Sequence, residues 1–302
     1  MIDIALLGTG GMMPMPERFL SSMLLRINGR LIMTDCGEGT QVTLKMLGWG
    51  FKAIDMICFT HFHADHISGL PGMLLTIGNA GRTEPLKLVG PVGLKKVVDG
   101  LRLICPELPF KLEFIEITEF GKKYDFGDFT LMANEGDHRV KCVSYRFDVP
   151  RKGKFSVDKA KALGLPVIYW SVLQKGEKVE YEGKTYTADM VLGEERKGLS
   201  VSFCTDTRPV DSLVDFIKDS DLFICEGMYG ENEKQSKAVE YKHMTFAEAA
   251  KLAKLGSVKE LWLTHLSPCM SEPELFIDNA KNIFDNTKVG FDRMTARINF
   301  AE

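Results

Sequence analysis

Thr60-His61-Phe62-His63-Ala64-Asp65-His66 places three imidazoles and a carboxylate within six residues. The apolar run Ile54 to Phe59 precedes it and is typical of a short buried strand. The first two histidines lie two apart on extended backbone and can face one ion, while Asp65 and His66 lie where the apolar, helical stretch Ile67 to Ile77 begins. Since imidazole and carboxylate are the usual zinc ligands, this loop predicts half of a two-metal site.

The other three histidines of the chain, His138, His243 and His265, lie in distant segments. His265 follows the apolar run Leu261 to Thr264, so two buried strands each end in Thr-His. The alternative is that the six histidines are separate surface or core residues without a common function. For a single isolated histidine, that would be the better interpretation. The spacing of residues 61–66 favours metal binding instead.

Asp206, in Ser202-Phe203-Cys204-Thr205-Asp206-Thr207, follows a third short apolar stretch, and its carboxylate could bridge two ions. Considered alone, an aspartate shortly before Pro209 is more often a helix cap. The sequence leaves both interpretations open at this point.

The chain resembles the metallo-beta-lactamase superfamily and, within it, the ribonuclease Z family of tRNA-processing endonucleases. The resemblance runs nearly end to end, and several motifs carry it in addition to the histidine cluster. They are Leu7-Gly8-Thr9-Gly10-Gly11, Asp35-Cys36-Gly37-Glu38-Gly39-Thr40-Gln41, Gly69-Leu70-Pro71-Gly72, Asp206-Thr207-Arg208-Pro209, His243-Met244-Thr245 and Leu263-Thr264-His265-Leu266-Ser267.

This resemblance implies an α/β fold, the metallo-beta-lactamase αβ/βα sandwich of two mixed sheets flanked by helices, with an inserted arm. It implies a di-zinc endoribonuclease, other divalent metals being possible, that removes 3′ trailers from precursor tRNA and leaves a 3′-hydroxyl. Asp65 would also accept the proton of the nucleophile, and His243 would donate one to the leaving 3′ oxygen. The implied metal ligands are His61, His63 and His138 for one ion, Asp65, His66 and His265 for the other, and Asp206 as the bridge.

Three features leave parts of this assignment open. His243 lies two residues before the capping box Thr245-Phe246-Ala247-Glu248, which opens a helix to Leu255, and such a histidine is commonly only solvated. Ser267-Pro268-Cys269-Met270 stands where the family pattern has Ser-x-Arg-Tyr, so the arginine and tyrosine that could hold the end nucleotide are missing. Leu222 to Gly227 replaces a His-Glu-Ala-Thr segment and keeps only Glu226.

Residues 151–200 correspond to the family's substrate-binding arm and differ in charge from the rest of the chain. They contain ten Lys or Arg and seven Asp or Glu, whereas the whole chain has a net charge of −3. A basic arm suits capture of a polyanion such as precursor tRNA, although composition alone also fits a solvated insertion. Tyr169 and Trp170 could stack on bases or pack in a core.

Composition agrees with one metallo-beta-lactamase-type domain over residues 1–302 that carries the arm. The slightly acidic chain argues against a general nucleic-acid-coating protein, while a site-specific enzyme remains compatible with it.

The N-terminus of the chain has neither a basic start nor a long apolar run, so we predict a cytoplasmic protein without a membrane partner. Seven cysteines without paired spacing fit reduced thiols. The family resemblance further implies a homodimer in which one subunit's arm reaches the RNA on the other.

Three other functions compete with this hypothesis. A metal-dependent hydrolase of a small phosphodiester or other ester would use the same histidine cluster but would not need the arm or the His243 segment. A di-iron redox enzyme would prefer glutamate within residues 63–66. A scaffold that only binds RNA should have lost ligands, and this chain retains all seven.

Overall fold

The computed structural model describes residues 1–194 and 196–301. The chain divides into two compact units, the first made of Met1–Asp148 and Leu199–Asn299. The second takes Val149–Gly198 together with the C-terminal residues from Phe300. Its main segment, Val149–Gly198, differs by two residues at each end from residues 151–200, the range that charge composition sets apart. We call residues 151–200 the arm. Whether the arm binds substrate stays a prediction.

Sixteen strands form from the described residues, and their arrangement confirms the predicted α/β fold of two mixed sheets flanked by helices. Each large sheet contains seven strands, and two further strands form a small hairpin. In chain order the strands are β1 (Ile2–Gly8), β2 (Ser22–Ile27), β3 (Arg30–Thr34), β4 (Ile54–Cys58), β5 (Leu86–Pro91), β6 (Leu112–Ile117), β7 (Tyr124–Asp125), β8 (Thr130–Glu135), β9 (Val143–Arg151), β10 (Val179–Tyr181), β11 (Lys184–Tyr186), β12 (Arg196–Cys204), β13 (Leu222–Glu226), β14 (Leu261–Thr264), β15 (Thr287–Val289) and β16 (Thr295–Ile298).

The first large sheet has the order β16-β1-β2-β3-β4-β5-β6, with β3 to β6 parallel and the others antiparallel. The predicted strand before the histidine cluster is β4, in which four of five residues are buried. Because β3 and β4 are parallel neighbours, the loops that leave their carboxyl ends at Asp35 and His61 meet at one edge of the sheet.

The second large sheet has the order β15-β14-β13-β12-β9-β8-β7, with β12 to β15 parallel. Three of these strands are followed or ended by an acidic residue or a histidine, namely Asp206 after β12, Glu226 in β13 and His265 after β14. In α/β sheets, ligands bind beyond the carboxyl ends of parallel strands. Both large sheets therefore present polar side chains where a site is expected.

Helices cover the sheets, and two of them test the sequence predictions closely. The capping box at Thr245 is present with both of its hydrogen bonds, and the helix it opens ends at Leu255 as predicted. The helix predicted over 67–77 is instead interrupted at Ser68-Gly69. The eleven α-helices of the described residues are α1 (Thr40–Leu47), α2 (Ala64–Ile67), α3 (Leu70–Asn79), α4 (Leu94–Leu101), α5 (Val157–Ala162), α6 (Trp170–Lys175), α7 (Ala188–Val191), α8 (Ser212–Phe216), α9 (Gln235–Tyr241), α10 (Phe246–Leu255) and α11 (Asp278–Lys281).

The break between α2 and α3 combines a local feature, Pro71 without an N–H in the first turn of α3, with tertiary contacts of Gly69. A Cβ placed on Gly69 would lie 2.0 Å from the carbonyl oxygen of Gly37, so only glycine fits there. The Gly69 backbone N–H donates to the carbonyl of Cys36 at 3.0 Å, and the Cys36 N–H donates to the carbonyl of His66 at 2.7 Å. These contacts tie the loop after β3 to the histidine cluster.

None of the helices formed by the described residues has the length and apolar character needed to span a membrane.

The second unit has its own small core, which contains Ala160, Leu173 and Val191. Trp170 packs 5.5 Å from Phe155, ring centre to ring centre, and its indole N–H donates to the Leu165 carbonyl at 2.9 Å. Tyr169 contacts Tyr181 in the same cluster. The two aromatic residues therefore take the core-packing role rather than that of free stacking platforms.

Candidate metal centre

The structure brings all seven predicted ligands together in two sets of donor atoms. Within each set the nitrogen and oxygen donors lie within 4.8 Å of one another. The division agrees with the one implied by the family resemblance, although it does not by itself assign a role to any residue. The first set contains His61, His63, His138 and Asp206, and the second contains Asp65, His66 and His265.

Asp206 lies between the two sets, and each of its carboxylate oxygens faces a different one. Oδ2 lies 3.7 Å from His61 Nε2 and 3.8 Å from His138 Nε2. Oδ1 lies 3.3 Å from His66 Nε2 and 3.1 Å from His265 Nε2. The helix-cap alternative is wrong, because the next helix, α8, begins six residues later with Asp211 at its N-terminal cap position.

The first set is compact, and the neutral form is favoured for His61 and His138. His61 Nε2 lies 3.0 Å from His63 Nδ1, which in turn lies 3.4 Å from His138 Nε2. Burial lowers the pKa of His61 well below its usual value, and the nearby His66 lowers it further. Burial also lowers the pKa of His138, which Asp206 only partly offsets. Neutral imidazole is the form that binds a metal ion.

The second set joins a carboxylate to two histidines from opposite sheets. His66 Nε2 lies 3.2 Å from His265 Nε2, and Asp65 Oδ2 lies 3.4 Å and 3.6 Å from these two nitrogens. The same Asp65 oxygen accepts a hydrogen bond from the Met12 backbone N–H at 2.9 Å. Burial raises the pKa of Asp65, but hydrogen bonds from His265 and His66 outweigh burial and leave the net pKa below its ordinary value.

The charges of the cluster fit a bound cation. Burial raises the pKa of Asp206, yet the nearby charges of His265 and His66 outweigh burial, so this carboxyl is ionised. Burial lowers the pKa of His66, but the carboxylates of Asp206 and Asp35 raise it well above its usual value. The field that draws a proton to the metal-free ring would draw a divalent cation to the same place, since cation binding displaces the ligand's proton. The donor types and their convergence therefore fit two divalent ions.

Asp35 is a supporting residue whose role sequence reasoning missed. It is fully buried, and its Oδ1 and Oδ2 accept hydrogen bonds at 2.8 Å from the Thr60 N–H and the Thr60 hydroxyl. Oδ2 also lies 2.8 Å from His66 Nδ1. A carboxylate on the outer nitrogen of a ligand histidine fixes its ring orientation. The signal in the sequence was an acidic residue after the strand that neighbours β4.

His265 differs from His66 in that no carboxylate holds its Nδ1 among the described residues. Its Nδ1 is buried and has no hydrogen-bond partner among the described residues, and the same is true of the Thr264 hydroxyl. Gly11 packs against the ring instead. A Cβ on Gly11 would lie 2.7 Å from His265 Cε1 and 2.8 Å from Met228 Cε, so the close packing requires glycine.

His243 lies beside both sets without a clear place in either. Its ring centre is 5.4 Å from those of His138 and His265, and with Asp206 and His265 it forms a third possible donor group. Its Nδ1 lies 3.1 Å from Oε2 of the fully buried Glu226. Burial lowers the pKa of His243, but the charge and hydrogen bond of Glu226 more than offset burial and raise the pKa to about 9.

The segment that carries His243 is fixed by hydrogen bonds from several directions. Glu226 accepts from the backbone N–H of Met244 at 3.0 Å and, through its other oxygen, from that of Thr207 at 2.6 Å. Arg208 donates to the His243 carbonyl and forms a two-pronged ion pair with Glu248 of the capping box. Sequence reasoning retained Glu226 and Arg208 as motif residues but gave them no role.

The chain is similar in sequence and fold to several known proteins. Residues 2–98, about a third of the chain, match the family model described as anti-Pycsar protein Apyc1. The chain is 54% identical over 306 residues to a protein of Clostridium acetobutylicum named ribonuclease Z, covering 99% of both chains. It is also 54% identical over 305 residues to the ribonuclease Z of Clostridium kluyveri, covering 100% of both. The crystal structure of the short form of human tRNase Z is 24% identical, with a TM-score of 0.71 over 99% of this chain and 100% of that one.

Proposed function

The chain belongs to the ribonuclease Z family, and we propose that seven converging side chains hold two zinc ions. As a ribonuclease Z it is an endoribonuclease of tRNA 3′ processing that acts on precursor tRNA and uses divalent metal. The number and kind of metal ions, the 3′-hydroxyl left on the tRNA and the role of each side chain are the proposal. The observation that carries it is the Asp206 carboxylate, whose two oxygens face two different histidine sets.

The proposed ligands follow the two donor sets. His61, His63 and His138 hold one ion, and Asp65, His66 and His265 hold the other, while Asp206 bridges them. When bound, the two ions would supply positive charge beside the scissile phosphate and acidify the attacking water. The protein's own side chains position the reactants and move the protons.

Asp65 is the proposed acceptor of the proton from the attacking water. Its Oδ2 is turned toward His66 and His265 and is fixed by the Met12 N–H. The other oxygen, Oδ1, has no hydrogen-bond donor among the described residues and so remains for that proton. One carboxylate can therefore hold its place in the second set and accept a proton at the same time.

His243 is the proposed proton donor to the leaving 3′ oxygen of the tRNA. With its pKa raised to about 9, the ring is protonated at neutral pH. Glu226 holds Nδ1, which leaves Nε2 for the cavity that His243 lines together with Asp65 and Asp206. A protonated donor at this position neutralises the oxygen as the P–O bond breaks.

The arm is the proposed binding element for the body of the precursor tRNA. A pocket of about 530 Å³ in the second unit is lined by Arg151, Lys152, Lys154 and Arg196 together with Phe300. Four cations around one concavity suit contacts with phosphate groups. A triple Lys152→Glu, Lys154→Glu, Arg196→Glu variant should raise KM for precursor tRNA and flatten its salt dependence, while hydrolysis of a small diester stays unchanged.

The homodimer and the cytoplasmic location remain proposals that rest on the family resemblance and on the N-terminal sequence. Sedimentation equilibrium of the zinc-loaded protein would test the first, since a single species at monomer mass across micromolar concentrations would reject it. Cell fractionation would test the second.

The decisive experiment incubates the zinc-loaded protein with a labelled precursor tRNA carrying a 3′ trailer and, in parallel, with bis(p-nitrophenyl) phosphate. We expect one cut near the acceptor stem, a 3′-hydroxyl on the tRNA and loss of both activities in Asp65→Ala. Asp215→Ala, which removes an exposed carboxylate on α8, is the matched control and should change neither activity. Hydrolysis of the small ester with intact RNA would instead favour a small-molecule phosphodiesterase.

A further inference from the structure

A cavity of about 390 Å³ opens over the donor atoms, and part of its lining has no role in holding metal or moving protons. Its volume lies within the range of about 300–1,000 Å³ that is usual for small-molecule sites. Besides the histidines and carboxylates of the centre, it is lined by Met12, Arg139, Met228, Tyr229 and Tyr241. Two aromatic rings, two thioethers and a guanidinium beside a phosphodiester centre are the groups that bind a nucleotide base and its phosphate.

Both tyrosines are attached to the segment that carries His243. Tyr241 ends α9 and is separated from His243 only by Lys242, whose φ of 64° makes a left-handed turn. The Tyr229 backbone N–H donates to the Met244 carbonyl at 3.3 Å, and its carbonyl accepts from the Phe246 N–H at 2.9 Å. The main chain thus fixes the backbone of both tyrosines relative to the proposed proton donor.

The exposure of these residues separates them from ordinary core packing. Tyr241 is 43% exposed and Met12 is 68% exposed, although both line a cavity. In the arm, by contrast, Trp170 packs into a local core and its N–H is satisfied. The Tyr241 ring therefore keeps surface on which a base can stack.

Arg139 adds a positive charge next to this ring. Its guanidinium lies 5.2 Å from the Tyr241 ring centre and donates to the Glu240 carbonyl at 3.1 Å. Within residues 1–194 and 196–301 it has no carboxylate partner at ion-pair distance, so its charge is available to a phosphate. Arg139 and Tyr241 are the residue types that the segment Ser267 to Met270 lacks.

We propose that Tyr241, with Tyr229 and Met12, receives the base of the nucleotide that carries the leaving 3′ oxygen, and that Arg139 contacts the phosphate on its 5′ side. The inference rests on the proposed function. If His243 protonates the leaving 3′ oxygen, the nucleoside bearing that oxygen must lie next to His243, and these are the rings attached to its segment. The site would then select for a base on the tRNA side of the cut rather than on the trailer side.

The test uses three precursor tRNAs that differ by one base. One is complete, one lacks the base of the last nucleotide kept in the tRNA, and one lacks the base of the first trailer nucleotide. Single-turnover rates and KM are measured for wild type, Tyr241→Ala and Tyr241→Phe. Tyr124→Ala, which removes a tyrosine outside the cavity, is the matched control.

We expect Tyr241→Ala to lose about tenfold in kcat/KM on the complete precursor, as for one lost base–aromatic stack, but little on the precursor that lacks the tRNA-side base. Tyr241→Phe should behave as wild type on all three, because the ring alone provides the stack. Arg139→Gln should raise KM on all three precursors without lowering kcat.

Equal losses by Tyr241→Ala on all three precursors would overturn the proposal, as would a loss that disappears only when the trailer-side base is missing. Failure of the proposed function has a different signature, because wild type would then cleave none of the precursors. Thermal unfolding and zinc content of each variant show whether a loss comes from misfolding. An unfolded Tyr241→Ala would leave the comparison to Tyr241→Leu, which keeps an apolar side chain without a ring.

Discussion

The carboxyl ends of the two sheets each combine a Thr-His pair with a buried carboxylate, but they use the carboxylate differently. In the first sheet, Asp35 beside β4 accepts from Thr60 and holds the outer nitrogen of His66. In the second sheet, Glu226 beside β14 holds His243 instead, and Nδ1 of His265 has no hydrogen-bond partner among the described residues. One half uses its buried carboxylate to orient a proposed metal ligand, and the other to orient a proposed proton donor.

This difference has a physical consequence for each histidine. A ring held by a carboxylate is fixed in orientation and is a stronger base, which for His66 favours metal binding and for His243 favours retention of a proton. On its outer side, His265 packs against Gly11. Similar local sequences therefore gain different chemistry from partners that are distant in the chain.

Asp206→Ala should have the largest effect, because the Asp206 carboxylate faces the histidines of both halves of the site. We expect the loss of both metal ions and a fall in kcat by at least about a thousandfold. Elemental analysis and cleavage assays of the same preparation check this outcome, with Asp215→Ala as the control. Retention of two ions per chain would show that Asp206 is not the bridge.

Asp35→Ala acts on one half only. It removes the acceptor of His66 Nδ1 and of two Thr60 donors in a fully buried place. Zinc affinity of the set that contains His66 should fall about 10- to 100-fold, as for other outer partners of ligand histidines. Competition with a chelator would measure this loss, and Asp35→Asn, which keeps one acceptor oxygen, should lose less. Equal losses at both ions without a change in thermal stability would contradict a local role.

Glu226→Gln tests the other carboxylate through the pH dependence of kcat. A proton donor works while it is protonated, so wild-type kcat should fall as the pH rises through about 9, the pKa of His243. Without the Glu226 charge that pKa is lower, and the fall should begin at lower pH, with near-normal kcat on the acidic side. Zinc content should not change, and a loss of zinc would place His243 among the ligands.

Local sequence was sufficient for the parts of the fold that depend on neighbouring residues. The run Ile54 to Phe59, the Thr-His pairs and the capping box at Thr245 each predict an element that the structure contains. Residue type and strand-end position predict His61 to His66, Asp206 and His265 as candidate ligands, whereas His138 and the complete set of seven came from the family resemblance. Their division between two ions came only from the family resemblance, because it depends on how two sheets meet.

Long-range contacts account for what the sequence did not predict. Asp35 reaches His66 across 31 residues because β3 and β4 pair in parallel. At the helix break, the Gly69 N–H donates to the Cys36 carbonyl, a contact that no helical pattern reveals, although Pro71 in the first turn of α3 is a local sign of the break. For Tyr169 and Trp170, composition could not decide between stacking and packing, and the arm's own core takes both.

Gly11→Ala should have the smallest effect. It acts on the half that contains His265, where packing against Gly11 takes the place of a hydrogen bond to Nδ1. The added methyl would meet His265 Cε1 at 2.7 Å and Met228 Cε at 2.8 Å, so the ring or its surroundings must shift. We expect zinc affinity at the set containing His265 to fall by about tenfold, with the other set unchanged. Gly100→Ala is the matched control, because no atom lies within 4 Å of its added Cβ. Wild-type affinity in Gly11→Ala would mean that ligand bonds alone place His265, and the two halves would then differ only in what their buried carboxylates hold.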